Sequence, residues 1–360
     1  MRIGLIIYGS LDTMSGGYLY DRRLVDYLRE QGDHVEIISL PWRNYLSHLT
    51  DNLHFHLPSG LDILIEDELN HPSLLIANAQ SHPYQIVSLV HNLHSSEKRP
   101  AWQNTFYRAL ERQYLRTVDG FIFNSQTTRR AVNLLVEGTP SSDRPNIVAT
   151  PGGDRLGSLT SESVRARAIQ PGPLRLLFLA NVIPLKGLHI LLDAVRLQTL
   201  DIRLDIVGSL TVNPLYAQEM KQQVIAHGLQ SKVFFHGILD DEALAGILRQ
   251  AHVLVIPSFY EGFGIAYLEG MAFGLPAIGT RAGAIPQLVI DKENGFLINP
   301  GDSEALTKCL QALRVDQELL IRLSMNALRY FQSQPTWAQA MESIRNFLLS
   351  NTGARRSQST

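Results

Sequence analysis

The sequence predicts an α/β protein made of two doubly wound parallel-sheet domains. Three observations carry this reading. Short apolar segments alternate with amphipathic ones, and the pattern runs through twice. Several of the short segments are nearly continuous in Leu, Ile and Val, the composition of parallel strands covered on both faces. The chain has 360 residues, more than a single core usually supports. A stretch rich in Gly, Pro and Ser, residues 151–173, divides it without a clear period and reads as a hinge region.

In the first half the candidate strands are 2–7, 34–39, 63–66, 74–77, 85–90, 120–124 and 146–149. In the second half they are 174–179, 203–207, 233–236, 253–256, 277–279 and 295–298. Between them lie helices. In 17–31, Tyr20, Leu24, Tyr27 and Leu28 share one face, Asp21, Arg22 and Arg29 are left for water, and Gly32 closes the helix. Further helices are expected over 101–118, 188–199 and 265–273, and over 242–250 with Asp240 and Asp241 as its cap. The organisation that follows is an N-terminal domain 1–160, a C-terminal domain 161–335, a helix 336–350 returning to the first domain, and a polar tail 351–360 without order.

Composition narrows the function classes. A formal net charge of −2 gives no reason to expect nucleic acid or a strongly acidic partner. One cysteine, Cys309, excludes an intramolecular disulfide framework and reads as a small core residue. The apolar run after Met1-Arg2 is too short for a signal-peptide core or a membrane span, so a cytoplasmic setting is expected. His91 and His94 stand three apart with no third ligand in view, and no metal site is expected.

The most informative run is 257–270, Pro-Ser-Phe-Tyr-Glu-Gly-Phe-Gly-Ile-Ala-Tyr-Leu-Glu-Gly, which leads from a strand into a helix. Gly262 and Gly264 let the backbone approach a ligand closely. The amides at the helix N-terminus suit a phosphate. Glu261 and Glu269 flank that turn, and an ionised carboxylate is an acceptor for hydroxyls. Hydroxyls at both ends and phosphates between them describe a nucleotide sugar. Alone, Glu269 reads as a solvated helix glutamate and Lys186 as a surface turn; the glycines and Glu261 turn the reading towards a ligand. Ser15-Gly16-Gly17 places a second glycine turn at a helix N-terminus in the other domain. If the carboxyl ends of the two sheets were opposed, a deep cleft would lie between them.

These residues resemble a retaining glycosyltransferase of family 4, within the glycosyl transferases group 1, which implies the two-domain GT-B fold. Glu261 through Glu269 is similar to the family's E-x7-E element, and 180–187, Ala-Asn-Val-Ile-Pro-Leu-Lys-Gly, to its G-R-x-x-x-x-K-G segment. Segments 274–279 and 294–300 and the pair Gly16-Gly17 complete an ordered set over nearly the whole chain. The resemblance implies an EC 2.4 enzyme that moves a hexosyl group from a nucleoside-diphosphate sugar to an acceptor hydroxyl, needing no cofactor or metal. It implies that Glu269 binds the ribose and Glu261 the donor sugar. Gly262 lies in that turn, and the backbone of Phe263, Gly264, Ile265 and Ala266 would hold the distal phosphate and sugar. Lys186 would neutralise the diphosphate, His91 would lie beside the reacting centre, and Gly16 and Gly17 would approach from the other domain.

One departure is Asn181, where the family usually has Arg; an Asn cannot make the bidentate charged contact. Either Lys186 then carries the diphosphate charge with backbone help, or another cation such as Arg281 contributes. Three other readings stay open: a GT-B-like nucleotide-sugar epimerase or phosphorylase, a non-catalytic nucleotide-sugar-binding subunit, and a dinucleotide-dependent oxidoreductase, against which stands the lack of G-x-G-x-x-G after the first strand. In 101–118, Arg108, Arg112 and Arg116 line one face beside Trp102 and Phe106. That face reads as solvated, or as a peripheral contact of the N-terminal domain with an anionic membrane or lipid-linked acceptor.

Overall fold

The computed structural model describes residues 1–97, 99–197 and 201–352. The chain divides into two compact units, one of Met1–Pro151 together with the chain from Trp337 onward, the other of Gly152–Thr336.

The first unit holds strands β1 (Arg2–Tyr8), β2 (His34–Leu40), β3 (Ile63–Asp67), β4 (Gln85–Val90), β5 (Gly120–Phe123) and β6 (Asn146–Val148). All pair in parallel, in the order β2-β1-β3-β4-β5-β6. The second holds β7 (Leu174–Leu179), β8 (Ile202–Val207), β9 (Val233–Gly237), β10 (Val253–Val255), β11 (Ala277–Thr280) and β12 (Gly295–Ile298). Its order is β12-β11-β10-β7-β8-β9, again all parallel. In each sheet the strand order reverses once, between β1 and β3 and between β7 and β10. Such switch points open crevices at the carboxyl ends of the strands, where ligands bind in open α/β sheets. Parallel strands need helical crossovers, and helices cover the sheets; Ile3, Leu5, Ile6 and Ile7 of β1 and Leu176, Leu177 and Phe178 of β7 are fully buried.

The closing helix, Trp337–Thr352, belongs to the first unit. Its Trp337 meets Tyr20 edge to face at 5.7 Å, and Arg345 pairs with Asp33 at 2.7 Å. The helix runs past the expected end at 350: Asn351 is buried and donates to the Phe347 carbonyl. The rest of the expected tail, 353–360, lies outside the described residues.

Three expectations are corrected, and a fourth falls partly outside the described residues. Residues 74–77 form no strand; the helix His71–Leu74 runs into a 3₁₀ turn at Ala77–Ala79. Pro72 sits in the first turn of that helix, and the Asn52 amide bonds both the Pro72 carbonyl and the Ile76 N–H. A short apolar run does not reveal its period, and here helical contacts won. The stretch read as a hinge contains the helix Ser161–Ala168, capped by Thr160. Buried Arg167 donates to the Phe273 and Gly274 carbonyls, which anchors this stretch in the second unit. The helix begun at Leu188 is described to Arg196, and the remainder of the expected 188–199 includes residues outside the described set. Finally, Asp21, expected in water, is fully buried.

Candidate functional site

In the second unit the loops after β7 and β10 meet at the switch point. The loop after β7 ends in the turn Pro184–Lys186 and Gly187, whose φ is +71°. A Cβ on Gly187 would lie 2.2 Å from the Pro257 carbonyl oxygen, so only glycine lets the two loops close. The Phe259 N–H donates to the Leu185 carbonyl at 2.8 Å and joins them. This sets Lys186 against Glu261: the Nζ–Oε1 distance is 2.7 Å, and the Ser258 hydroxyl donates to the same oxygen at 2.7 Å. The Glu261 carbonyl accepts from the Ala284 N–H at 2.9 Å. A Cβ on Gly283 would lie 2.0 Å from that carbonyl oxygen. The backbone of Glu261 is therefore clamped.

Beyond Glu261 the chain turns at Gly264, with φ +96°, and starts the helix Ile265–Ala272. Among the described residues, the backbone N–H groups of Phe263, Gly264, Ile265 and Ala266 find no acceptor in the chain. Such orphan donors carry the positive end of the helix dipole. Tyr267, fully buried, fixes the turn by donating its hydroxyl to the Ile256 carbonyl. About one helix turn past Ile265, Glu269 is buried and its Oε1 accepts from the Arg155 Nε at 2.8 Å; Arg155 also pairs with Asp241.

In the first unit, Gly16 and Gly17 open the helix Gly16–Glu30, whose N-cap is Ser15. His91 follows β4. A Cβ on Gly17 would lie 3.4 Å from the His91 ring, so the imidazole rests against the first helical turn. His91 Nε2 is 2.9 Å from Asp21 Oδ1, and the Tyr20 ring meets the imidazole edge-on. Burial works against a charged imidazole, but the Asp21 charge and hydrogen bond, with Asp67 and Glu68 behind them, outweigh it and push His91 up to about 9.

The sequence-predicted residues therefore gather into three pairings: Lys186 with Glu261, Glu269 with Arg155, and Gly17 with His91. Glu269 does not join Lys186. Asn181 accepts from the Ser209 N–H at 3.2 Å and supplies no cation. Arg281 pairs with Asp291 and is half exposed, rather than with either glutamate. Two residues escaped the sequence reading. Arg155 lies in the stretch read as a hinge, and its only signal was a cation among glycines. Asp21 was assigned to water by its charge, although it shares a helical stripe with Gly17, Leu24 and Leu28. The acid and histidine groups Asp21–Asp67–His91 and Glu68–His71–Glu111 are crowded, but they are tied by internal hydrogen bonds. His91 bonds Asp21, His71 bonds the Glu68 carbonyl and Tyr45, and Glu111 accepts from Ser95, so these read as hydrogen-bonded networks.

Residues 160–329 match the family model described as Glycosyl transferases group 1. The D-inositol 3-phosphate glycosyltransferase of Arthrobacter sp. (strain FB24) is 29% identical over 244 residues, 64% of this chain and 57% of that protein. The chain thus spans little more than half the length of that relative. Among solved structures, sucrose-phosphate synthase from Thermosynechococcus elongatus superposes with a TM-score of 0.82 at 20% identity, covering 98% of this chain and 99% of that one. Anabaena HepE in complex with UDP and glucose superposes with a TM-score of 0.74 at 19% identity, covering 97% and 100%. At these identities the structural likeness speaks for the fold, which is GT-B. Two parallel six-stranded sheets make up this fold, and residues 160–329, within the second unit, carry the sequence pattern of the group 1 glycosyltransferases.

Proposed function

We propose that the chain transfers a hexosyl group from a nucleoside-diphosphate sugar to an acceptor hydroxyl, with retention at the anomeric carbon, as a family 4 enzyme. The observation that carries this reading is the run of four amides without acceptors, Phe263 to Ala266, beside the Lys186–Glu261 pair. Those donors and Lys186 suit a diphosphate. Glu261 and Glu269 suit the hydroxyls at its two ends. The HepE neighbour, solved with UDP and glucose, supports a donor of this class.

In the reaction the anomeric carbon–oxygen bond breaks and its electron pair goes to the diphosphate. Lys186 and the amides meet the charge where it develops, which is electrostatic catalysis. The acceptor oxygen attacks from the face the leaving group vacates, and a phosphate oxygen takes its proton. Helix dipole and lysine do the work a metal would do elsewhere, so the reaction is metal-independent in this reading. Donor binding must also loosen Lys186 from Glu261 and Arg155 from Glu269, because each carboxylate then turns to a hydroxyl.

A thermal-shift screen of UDP, GDP and ADP and their sugar conjugates, followed by NMR of the product, tests the proposal. Stabilisation by one nucleoside diphosphate and a product of unchanged anomeric configuration are expected; no stabilisation by any of them, or inversion, rejects it. A non-catalytic binding subunit is favoured by one observation, the uncharged Asn181, and donor turnover would reject that alternative.

The reading places the protein in the cytoplasm, with peripheral membrane contact through the first unit. Among the described residues, no helix is long and apolar enough to cross a membrane. On the helix Ala101–Leu115, Trp102 is 72% exposed and Phe106 40% exposed, and Arg108 and Arg112 on the helix and Arg116 at its cap are exposed beside them. Aromatic rings flanked by cations suit an anionic interface. Salt-sensitive pelleting with anionic vesicles is expected, and no pelleting at low salt removes the contact.

A further inference from the structure

We propose that the first unit carries a phosphate-binding site of its own, in the cavity between Arg116 and Arg144, and that its ligand is a phosphate monoester. The site stands whether or not the chain transfers a sugar.

The cavity has a volume of about 350 Å³ and is lined by Arg116, Gly138, Thr139, Pro140, Ser141 and Arg144. All six belong to the first unit. Arg116 precedes β5 and the other five precede β6, so the cavity lies at the amino ends of these strands. Gly17 and His91, by contrast, follow the carboxyl ends of β1 and β4. The lining is one-sided in charge, with two guanidinium groups and no carboxylate.

Arg144 is placed by the helix Ala101–Leu115. It donates from Nη1 to the Leu115 carbonyl at 3.3 Å and from Nη2 to the Arg116 carbonyl at 2.9 Å. These bonds satisfy the last carbonyls of the helix and offset the negative end of its dipole. They use only part of the guanidinium's donor set, and Nε stays unspent. Burial pushes Arg144 below the ordinary arginine value, with the Asp119 charge opposing. The Arg116 guanidinium is exposed and makes no hydrogen bond or ion pair among the described residues.

An exposed arginine alone reads as solvated, as Arg108 and Arg112 do. Ser141 sets this place apart. It is only 3% exposed, and its hydroxyl oxygen makes no hydrogen bond among the described residues. The turn that carries it is fixed: the Ser141 N–H donates to the Thr139 hydroxyl at 3.3 Å, and that hydroxyl donates to the Val136 carbonyl at 2.6 Å. A buried hydroxyl needs a partner, and the cavity is where water or a ligand supplies one. The groups on offer are two guanidinium forks and a hydroxyl, which together suit an anion with several acceptor oxygens. A phosphate monoester has three terminal oxygens and is mostly a dianion at neutral pH. The volume falls within the range of small-molecule sites, about 300–1,000 Å³, and leaves room for an organic group beyond the phosphate.

Arginine labelling by phenylglyoxal, followed residue by residue by peptide mass spectrometry, tests this on the full chain. Ionic strength is held constant with chloride. Millimolar inorganic phosphate is expected to slow labelling of Arg116 several-fold, while Arg108 and Arg112 on the same helix react as before. Ser141→Ala should weaken that protection. Lys186→Ala should leave it in place, which separates this cavity from phosphate held in the second unit. Vesicles of phosphatidic acid, compared with phosphatidylglycerol vesicles of equal charge, tell the source of the phosphate. Protection by dissolved phosphate assigns a soluble ester; protection by phosphatidic acid alone assigns a lipid headgroup. Equal slowing of Arg108, Arg112 and Arg116 overturns the proposal, as does no slowing of Arg116 by either probe, or protection lost in Lys186→Ala. The wild-type labelling needs no variant, so poor folding of Ser141→Ala cannot shelter it.

Discussion

Two groups of buried acids, one in each unit, are treated in opposite ways. In the second, Glu261 and Glu269 each have a cation within 2.8 Å, supplied by Lys186 and Arg155. In the first, Glu66, Asp67, Glu68 and Glu111 are buried with no Lys or Arg ion-paired to them among the described residues. Burial pushes Glu66, Asp67 and Glu111 up to about 7 and Glu68 to about 8. The difference teaches where charge is meant to be used. Matched acids each hold a cation that the proposed donor would exchange for a hydroxyl; unmatched acids form a cluster in which burial favours the protonated form.

The largest expected effect breaks the first half of this comparison. Glu261→Ala removes the carboxylate proposed to face the donor sugar and leaves Lys186 without its partner. Turnover should fall by about 10²–10³-fold, with a smaller change in donor affinity, as for the loss of one preorganised polar group at a transition state. Steady-state kinetics with the donor found in the screen measures it, and near-normal turnover removes the role.

Lys186→Ala should act on binding instead. Nucleoside diphosphate affinity is expected to fall more than tenfold, about 1.4 kcal/mol, by calorimetry. An unchanged Kd would shift the diphosphate charge wholly onto the amides of 263–266.

The second half of the comparison is read by pH. A carboxyl whose folded pKa is raised binds its proton more tightly in the folded state. Its stabilisation is complete below the unfolded value near 4.5 and is lost as pH rises through about 7–8. The raised imidazole of His91 acts in the same direction, its contribution lost as pH climbs from 6.5 to about 9. The first unit should therefore melt a few degrees lower at pH 9 than at pH 6.5. All three tryptophans, Trp42, Trp102 and Trp337, lie in that unit, so their fluorescence reports it alone. Glu66→Gln keeps the contact with Asn78 without the charge, and should flatten the slope. A melting point that rises from pH 6.5 to 9 would contradict the assignment.

The smallest expected effect is none. A chelator should leave turnover intact if Lys186 and the helix N-terminus carry the leaving-group charge. Activity lost to chelator and regained with Mg²⁺ would show that these two groups are insufficient.

Much of the fold was legible because parallel strands buried on both faces must be apolar throughout. β1, β7 and β10 announce themselves for that reason. The run 74–77 had the same composition but too few residues to show a period, and the Asn52 bridge made it helical. The helix Ser161–Ala168 was hidden because its tie to the second unit is one arginine reaching distant carbonyls. At the site, the glycine turn and Glu261 were visible since the backbone there needs φ +96° at Gly264, which favours glycine strongly. Asp21 and Arg155 were not, because a charge far in sequence from its partner looks the same as one in water.

By itself the sequence determined the alternation of strands and helices, the glycine turns, and the carboxylates that flank one of them. These depend on local backbone freedom and on apolar period, both of which are written in neighbouring residues. Only the tertiary structure decided which charge meets which: Lys186 with Glu261 across 75 positions, Arg155 with Glu269 across 114, and Asp21 with His91 across 70. The reason is physical. The protonation and partner of a buried charge are set by whatever the fold brings within a few ångströms, and chain distance carries no record of that.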